Sequence, residues 1–342
     1  MSSNNRVLVL GANGGIGAEL CQQLRDAGWE VRALRRGSQS EGRRHGITWI
    51  RGDASNAGEV CAAAQGCAVI VHAVNPPSYR NWSRLVLPML DNSIAAAKMQ
   101  NATLVLPGTV YNFGPDAGSV LTEESPQHPL TRKGAIRAEM ERRLGAASRA
   151  GARVLIVRAG DFYGPKAGNN WFSQGLVKPG KPVGAISNPG RPGAGHEWAY
   201  IPDVARTIVE LLAQRQSLEP FAVFHMAGHW DADGTAIATS IQRVVARRTG
   251  REPRLAAFPW WLITLASPVV ATFREIREMR YLWKVPLRLD NTRLVAMLGR
   301  EPHTPLDEAV EATLIGLGCI AGPAAVQRSA DLADGRPCGE QP

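Results

Sequence analysis

No stretch of the chain is long and apolar enough to cross a membrane as a helix. Such a span needs about 20 consecutive apolar residues. The most apolar segment, Phe258 to Phe273, is interrupted by Pro259 and Pro268 and reads as a core or lid helix. Cysteine is scarce: Cys21, Cys61, Cys67, Cys319 and Cys338 are odd in number and lack the paired spacing of a metal site or a disulfide framework. No metal is expected, and the thiols are expected to be reduced in a cytoplasmic protein. The polar start, Met1 to Arg6, lacks the apolar run of a secretory signal. Low complexity is also missing, apart from a polar tail from about Gly322 to Pro342 that reads as disordered.

The net charge is +9, but the basic residues are scattered. The clusters are only pairs: Arg35-Arg36, Arg43-Arg44, Arg142-Arg143 and Arg247-Arg248. No nucleic-acid motif accompanies them, so a polynucleotide partner is not expected, nor is a membrane. The balance suits a solvated basic surface with a few arginines directed at an anionic cofactor. Hydrophobic residues make up 44% and charged residues 20% of 342 positions, enough for a sizeable core.

What is present is organised around Val7-Leu8-Val9-Leu10-Gly11-Ala12-Asn13-Gly14-Gly15-Ile16-Gly17. A short apolar run, a G-x-x-G-x-x-G loop and a helix from Ala18 to Ala27 follow one another, with Gly28 as the stop. In that context the glycines have separate jobs. Gly11 permits the tight turn, Gly14 lets backbone approach a pyrophosphate, and Gly17 lets helix and strand pack closely. Asn13, Gly15 and Ile16 complete the loop. The helix N-terminus offers unpaired N–H groups to phosphate.

A second strand, Glu30 to Leu34, ends at Arg35 and Arg36, with no carboxylate at its tip. A carboxylate there would bind the ribose 2′-hydroxyl of NAD, whereas arginine suits the 2′-phosphate of NADP. NADP(H) is therefore the expected cofactor, with NAD(H) second; the competing role for both arginines is a solvated loop. A third strand, Thr48 to Asp53, ends in Gly-Asp, where Asp53 and Ala54 would face the adenine. Asp53 can also cap the helix around Glu59 to Ala64. A fourth strand, Cys67 to Val74, places Ala73, Val74 and Asn75 beside the cofactor, with His72 read as a packed histidine. A helix from Trp82 to Lys98, a strand Thr103 to Leu106, a helix Arg132 to Arg149 and a strand Arg153 to Arg158 follow. Six βα units in a row imply an α/β fold: a doubly wound, Rossmann-type parallel sheet with helices on both faces. From about Gly164 to Gly195 glycine and proline become dense, and a smaller C-terminal substrate lobe is expected there. The expected division is 1–165 for the nucleotide-binding lobe and 166–321 mainly for the substrate lobe, with about 196–228 returning to the main sheet.

These pieces resemble the extended, atypical short-chain dehydrogenase/reductase superfamily, the NAD(P)-dependent epimerase/dehydratase-like group. The resemblance covers roughly Arg6 to Leu317. It rests on the glycine loop, Gly52-Asp53, Arg158-Ala159-Gly160-Asp161-Phe162-Tyr163-Gly164-Pro165, the segment His196 to Ala205, Phe224 to Gly228, and Leu289 to Val310. It implies an NADP(H)-dependent oxidoreductase or epimerase/dehydratase-like enzyme acting on a small carbonyl- or hydroxyl-bearing substrate. Its relatives often dimerise, so a homodimer is a further expectation.

One departure stands out. The group's Tyr-x-x-x-Lys pair is absent: by helix register Lys133 stands at the tyrosine's position and Arg137 at the lysine's. The two are four apart and share a helix face. Arg137 can still serve the ribose or pyrophosphate. The group's Ser/Thr falls near Pro107 or Thr109. If chemistry persists, Tyr111, Tyr163, Lys133 and Thr109 are the candidates for proton transfer and polarisation. If it has been lost, the chain is a non-catalytic NADP(H)-binding sensor or scaffold. Trp171, Phe172, Trp198, Trp230, Trp260 and Trp261 suit either an apolar substrate or a lobe core, and Asn169, Asn170, His196 and His225 are candidate substrate hydrogen-bonders.

Overall fold

The computed structural model describes residues 4–37, 41–76, 82–167, 170–268, 273 and 277–322. Residues 323–342 of the expected tail, with Cys338, and Asn169 lie outside the described residues.

Strand β1 (Arg6–Leu10) is buried along Val7, Leu8, Val9 and Leu10 because it is covered on both faces. Side chains alternate across a strand, and Val7 and Val9 join one core while Leu8 and Leu10 join the other. The same alternation runs through β2 (Glu30–Arg35), β5 (Val69–His72), β6 (Thr103–Thr109) and β8 (Arg153–Ala159). The first core is closed by α1 (Gly15–Asp26) and α5 (Ile201–Ala213), through Leu20 and Leu24 against Ile208 and Leu212. The second is closed by α2 (Ala57–Ala63), α3 (Trp82–Gln100) and α4 (Arg132–Arg149), through Val60, Leu90 and Leu144.

With β3 (Gly42–Arg44), β4 (Ile47–Arg51) and β12 (Phe221–His225), the eight-stranded sheet runs β12-β8-β6-β5-β1-β2-β4-β3. Every pairing is parallel except that of β3 with β4. Chain order reverses between β1 and β5, and a crevice opens at such a switch point outside the carboxyl ends of the strands.

The sequence reading is corrected in three places. The antiparallel edge strand β3 carried no periodic signal, being three exposed residues, Gly-Arg-Arg. Within 196–228 only β12 joins the main sheet; β11 (His196–Tyr200) instead pairs with β9 (Asp161–Tyr163) and β13 (His229–Asp231) in a separate three-stranded sheet. Asn56, not Asp53, caps α2: its side chain accepts from the Glu59 N–H at 3.3 Å. The smaller lobe has its own core, in which Tyr163, Phe172, Trp198, Ile241 and Trp283 meet Val310 and Leu314 of the helix Leu306–Gly316.

Candidate active site

The glycine loop leaves β1 with Gly11 at φ +84°, in the left-handed region. A Cβ on Gly11 would lie 2.4 Å from the Ala73 carbonyl oxygen, and one on Gly17 would lie 2.2 Å from that of Gly11. Only glycine lets three backbone segments meet there. The Gly14 N–H donates to the Gly11 carbonyl at 2.9 Å and closes the turn from which α1 starts. Above it a groove of about 320 Å³ runs along the switch point. Gly11, Asn13 and Gly14 form one end, Arg35, Arg36, Asp53 and Ala54 the other, and Ala73, Val74 and Asn75 the side. Gly15, Ile16 and Gly17 do not line this groove. Gly15 faces Ile201 and Ala167, Ile16 packs on the first core, and Gly17 allows the helix its close approach. As the first residues of α1 they carry the N–H groups of its N-terminus.

The Arg35 guanidinium lies 4.7 Å above the Trp49 ring. Arg36 Nη1 lies 4.0 Å from Asp53 Oδ2, both side chains being exposed. Asp53 Oδ1 accepts the Ser55 N–H at 2.9 Å and the Ser55 hydroxyl at 2.8 Å, so this carboxylate ends the loop before α2. A glycine cradle without room for a Cβ, a helix N-terminus above it and two arginines at the β2 tip fit a phosphate-rich dinucleotide.

A second cavity, of about 180 Å³, adjoins the groove at Asn75, which lines both. Thr109, Tyr111, Lys133 and Arg137 all line it. Thr109 ends β6, and its Oγ1 accepts the Tyr111 N–H at 2.9 Å, setting the short turn that carries Tyr111. Lys133 and Arg137 stand one turn apart on α4, which starts at Thr131, whose hydroxyl oxygen accepts the Gly134 N–H at 3.0 Å. Lys133 is buried. The Arg137 guanidinium lies 5.3 Å above the Trp82 ring. The far wall includes Phe162, Trp171, Phe258 and Met279, with Asn170 and Gln174 as its amides.

Two residues that sequence reasoning did not connect with Tyr111 complete this site. The Tyr111 hydroxyl donates to Asp161 Oδ1. Asp161 Oδ2 meets His196 Nε2 at 2.9 Å, and His196 Nδ1 meets the Leu282 carbonyl oxygen at 3.2 Å. Asp161 is 3% and His196 5% exposed. Their register explains the contact. Asp161 pairs with Trp198 in the parallel β9–β11 ladder, and His196, two residues before Trp198, shares its face. Fifty residues separate Tyr111 from Asp161, and no spacing rule joins them; the one local signal was a carboxylate immediately after Gly160 at a strand end.

The other candidates are placed elsewhere. Tyr163 is 0% exposed, stacked on Phe172 with ring centroids 5.4 Å apart. His229 Nε2 meets the Thr304 carbonyl oxygen at 2.8 Å, which makes that nitrogen the donor and leaves Nδ1 to accept the Tyr163 hydroxyl at 3.1 Å. Burial, with Tyr200 and Asp203 adding, holds the Tyr163 phenol well above its ordinary range. It is a packing residue of the smaller lobe, and its expected catalytic part is withdrawn. His225 accepts from Arg158 Nη1 at 2.9 Å and donates to the Leu121 carbonyl at 3.1 Å, within the protein interior. Burial first, then the charge on Arg158, pushes its pKa down to about 3. His72, held by Ser93 at 2.8 Å, is pushed down to about 3 by burial, with Arg137 adding, as suits a packed histidine. Of the aromatic candidates Trp171 lines the cavity, Phe172 and Trp198 are core, and Trp261 is 71% exposed.

A mostly parallel sheet that reverses its order beside a glycine cradle defines a Rossmann-type fold. Residues 7–227 match the NAD dependent epimerase/dehydratase family, and the chain belongs to it. The fold is shared with MoeE5 solved in complex with UDP-glucose and NAD (20% identity, 95% of this chain and 99% of that one, TM-score 0.68). It is also shared with UDP-glucuronic acid 4-epimerase from Bacillus cereus, solved with UDP-glucuronic acid and NAD (17%, 91% and 98%, TM-score 0.68), and with gox2253 (17%, 93% and 100%, TM-score 0.70). A shorter match, 35% identical over 71 residues, is to the 2-alkyl-3-oxoalkanoate reductase of Shewanella oneidensis; it spans 21% of this chain and 18% of that enzyme. Among the described residues no helix is long and apolar enough to cross a membrane, and no cluster of side chains could hold a metal ion.

Proposed function

We propose that the protein is an NADP(H)-dependent oxidoreductase acting on a hydroxyl- or carbonyl-bearing small molecule with an apolar body and an anionic group. The observation that carries this reading is the adjoining pair of cavities. One is a glycine-floored groove ending at Arg35 and Arg36, the other a chamber holding Thr109, Tyr111, Lys133 and Arg137, and they meet at Asn75. NADP is preferred over NAD because the β2 tip offers two guanidinium groups and no carboxylate to the ribose. The anionic group is suggested by the two cations on one face of α4, and the apolar body by Phe162, Trp171, Phe258 and Met279. The name of the Shewanella relative, an oxoalkanoate reductase, describes such a substrate. Four free cysteines among the described residues suit a cytoplasmic protein.

When bound, the nicotinamide supplies the hydride exchange. The chain's own part is to hold the diphosphate on the α1 N-terminus, to balance developing negative charge on the substrate oxygen with Lys133 and Arg137, and to exchange a proton at Tyr111 Oη. Lys133 and Arg137, standing where the family pair would be, favour one competing reading, in which the site binds without reacting. A panel of 3-oxo acids, other ketones, aldehydes and the matching alcohols, followed by NADPH absorbance alongside cofactor titration, separates the two. Turnover of an anionic, chain-bearing oxo compound is expected; tight NADPH binding with no turnover across the panel would favour the sensor.

A further inference from the structure

We infer that Tyr111, Asp161 and His196 form one hydrogen-bonded proton relay serving the second cavity, in place of the missing tyrosine and lysine on α4. Tyr111 exchanges the proton with substrate, and Asp161 and His196 are positioning residues behind it. The inference rests on the reading that the site performs redox chemistry.

His196 lies between two acceptors, Asp161 Oδ2 at 2.9 Å and the Leu282 carbonyl oxygen at 3.2 Å. Both ring nitrogens thus face acceptors, a pattern that a ring carrying a hydrogen on each nitrogen would satisfy. Trp283 lies parallel to it, with centroids 3.7 Å apart and planes 6° apart, an arrangement that favours a cationic ring. The buried Asp161–His196 contact holds Asp161 Oδ1 on the Tyr111 hydroxyl, and Tyr111 donates to it. With its own hydrogen committed to Asp161, Tyr111 Oη presents only lone pairs to further partners, which suits it to receive a proton from a substrate hydroxyl in the cavity that Tyr111 and Asp161 both line.

In the oxidising direction the substrate O–H proton passes to Tyr111 Oη as the Tyr111 proton passes to Asp161 Oδ1. The oxygen electron pair closes the C=O bond while the carbon-bound hydrogen leaves with its pair to an oxidised nicotinamide. His196 keeps both of its hydrogens and offsets the charge while Asp161 is ionised. In the reducing direction each transfer runs backwards, and Asp161 returns the proton to Tyr111. Lys133 and Arg137 on α4 border the same cavity and favour the substrate alkoxide between the two states.

The test has two arms. In the first, on the cofactor-free protein, ¹⁵N-edited spectra of the ring nitrogens, assigned with His196→Asn, are expected to show His196 protonated at both nitrogens near neutral pH. Asp161→Asn should leave one protonated nitrogen, and Tyr111→Phe should leave both. A singly protonated His196 in the unaltered protein overturns the relay. In the second, on the substrate found with the panel above, Tyr111→Phe, Asp161→Asn and His196→Asn should each lower kcat about a hundredfold or more, with KM within about threefold. The Tyr111→Phe/Asp161→Asn double variant should be no slower than Tyr111→Phe alone, because both act on one proton. Independent, multiplying losses, or an unchanged kcat in Asp161→Asn, would overturn it. Absence of any turnover by the unaltered protein would defeat the redox reading, while the first arm still decides the hydrogen-bonded arrangement.

Discussion

The two cavities meet at Asn75 but are built in opposite ways. The groove takes its floor from the glycine turn between β1 and α1, most of its rim from residues at the ends of strands, and Leu85 and Met89 from α3. The chamber takes Thr109 and Tyr111 from the end of β6, Lys133 and Arg137 from α4, Asp161 from β9, Trp171 from the start of a short helix, and Met279 from a segment much later in the chain. A site on one backbone turn tolerates few substitutions and announces itself in sequence. A site assembled from scattered side chains on a finished scaffold can exchange its chemistry while the scaffold persists.

The sharpest way to break the comparison is at the turn. Gly17→Val would drive a branched side chain into the Gly11 carbonyl, 2.2 Å from its Cβ. Gly11→Ala would set a Cβ 2.4 Å from the Ala73 oxygen at φ +84°. Each is expected to cost about 3 kcal/mol or more and to abolish nucleotide binding, checked by thermal melting and cofactor titration. A volume-conserving change in the chamber wall, Met279→Leu, should leave both readouts nearly unchanged.

A smaller effect tests the rim. Arg35→Asp replaces a guanidinium with a carboxylate at the β2 tip, and the NADP-to-NAD affinity ratio is expected to fall about tenfold to a hundredfold, since a charge-assisted hydrogen bond contributes about 1.5–3 kcal/mol. Fluorescence titration with both cofactors measures it; an unchanged ratio would assign the preference to other residues.

Most of the fold was legible because β1, β5, β6 and β8 carry apolar runs closed by glycine, asparagine or helix signals, and because covering both faces of a parallel sheet forces such runs. The groove was legible for the same reason: its residues lie at offsets from strand ends. The edge strand at Gly42–Arg44 was not, since it buries nothing. Nor was the smaller lobe's sheet, because β9, β11 and β13 are short and find their partners 31 or more residues away. Tyr111 and Tyr163 looked equivalent, both beside strand ends. Only tertiary packing separates them, directing one at Asp161 and the cavity and the other at His229 in the core.

Tyr163→Phe makes that distinction measurable. It removes a buried hydrogen bond to His229, and a loss of about 1 kcal/mol of stability is expected with kcat within about twofold. Tyr111→Phe, which removes a hydrogen bond to buried Asp161, should lower kcat as well as stability. A large fall in kcat for Tyr163→Phe would restore it as a candidate.

A further effect concerns pH. His72 and His225 have pKa values pushed down to about 3 by burial, against about 6.5 when unfolded. Between those values the unfolded chain binds more protons, so stability falls as pH drops from about 6.5 towards 3, by about 1.4 kcal/mol per pH unit for each histidine. Denaturant unfolding at a series of pH values should show this slope, and His72→Asn should reduce it by one histidine's share. An identical slope in that variant would contradict the assignment.

The central claim is that the glycine groove with its arginine rim holds a phosphorylated dinucleotide. Equilibrium titration of the unaltered, full-length protein with NADPH and with NADH tests it most directly. Saturable one-to-one binding, with NADPH at least about tenfold tighter, is predicted. Failure to bind either cofactor, or tighter binding of NADH, would contradict the account.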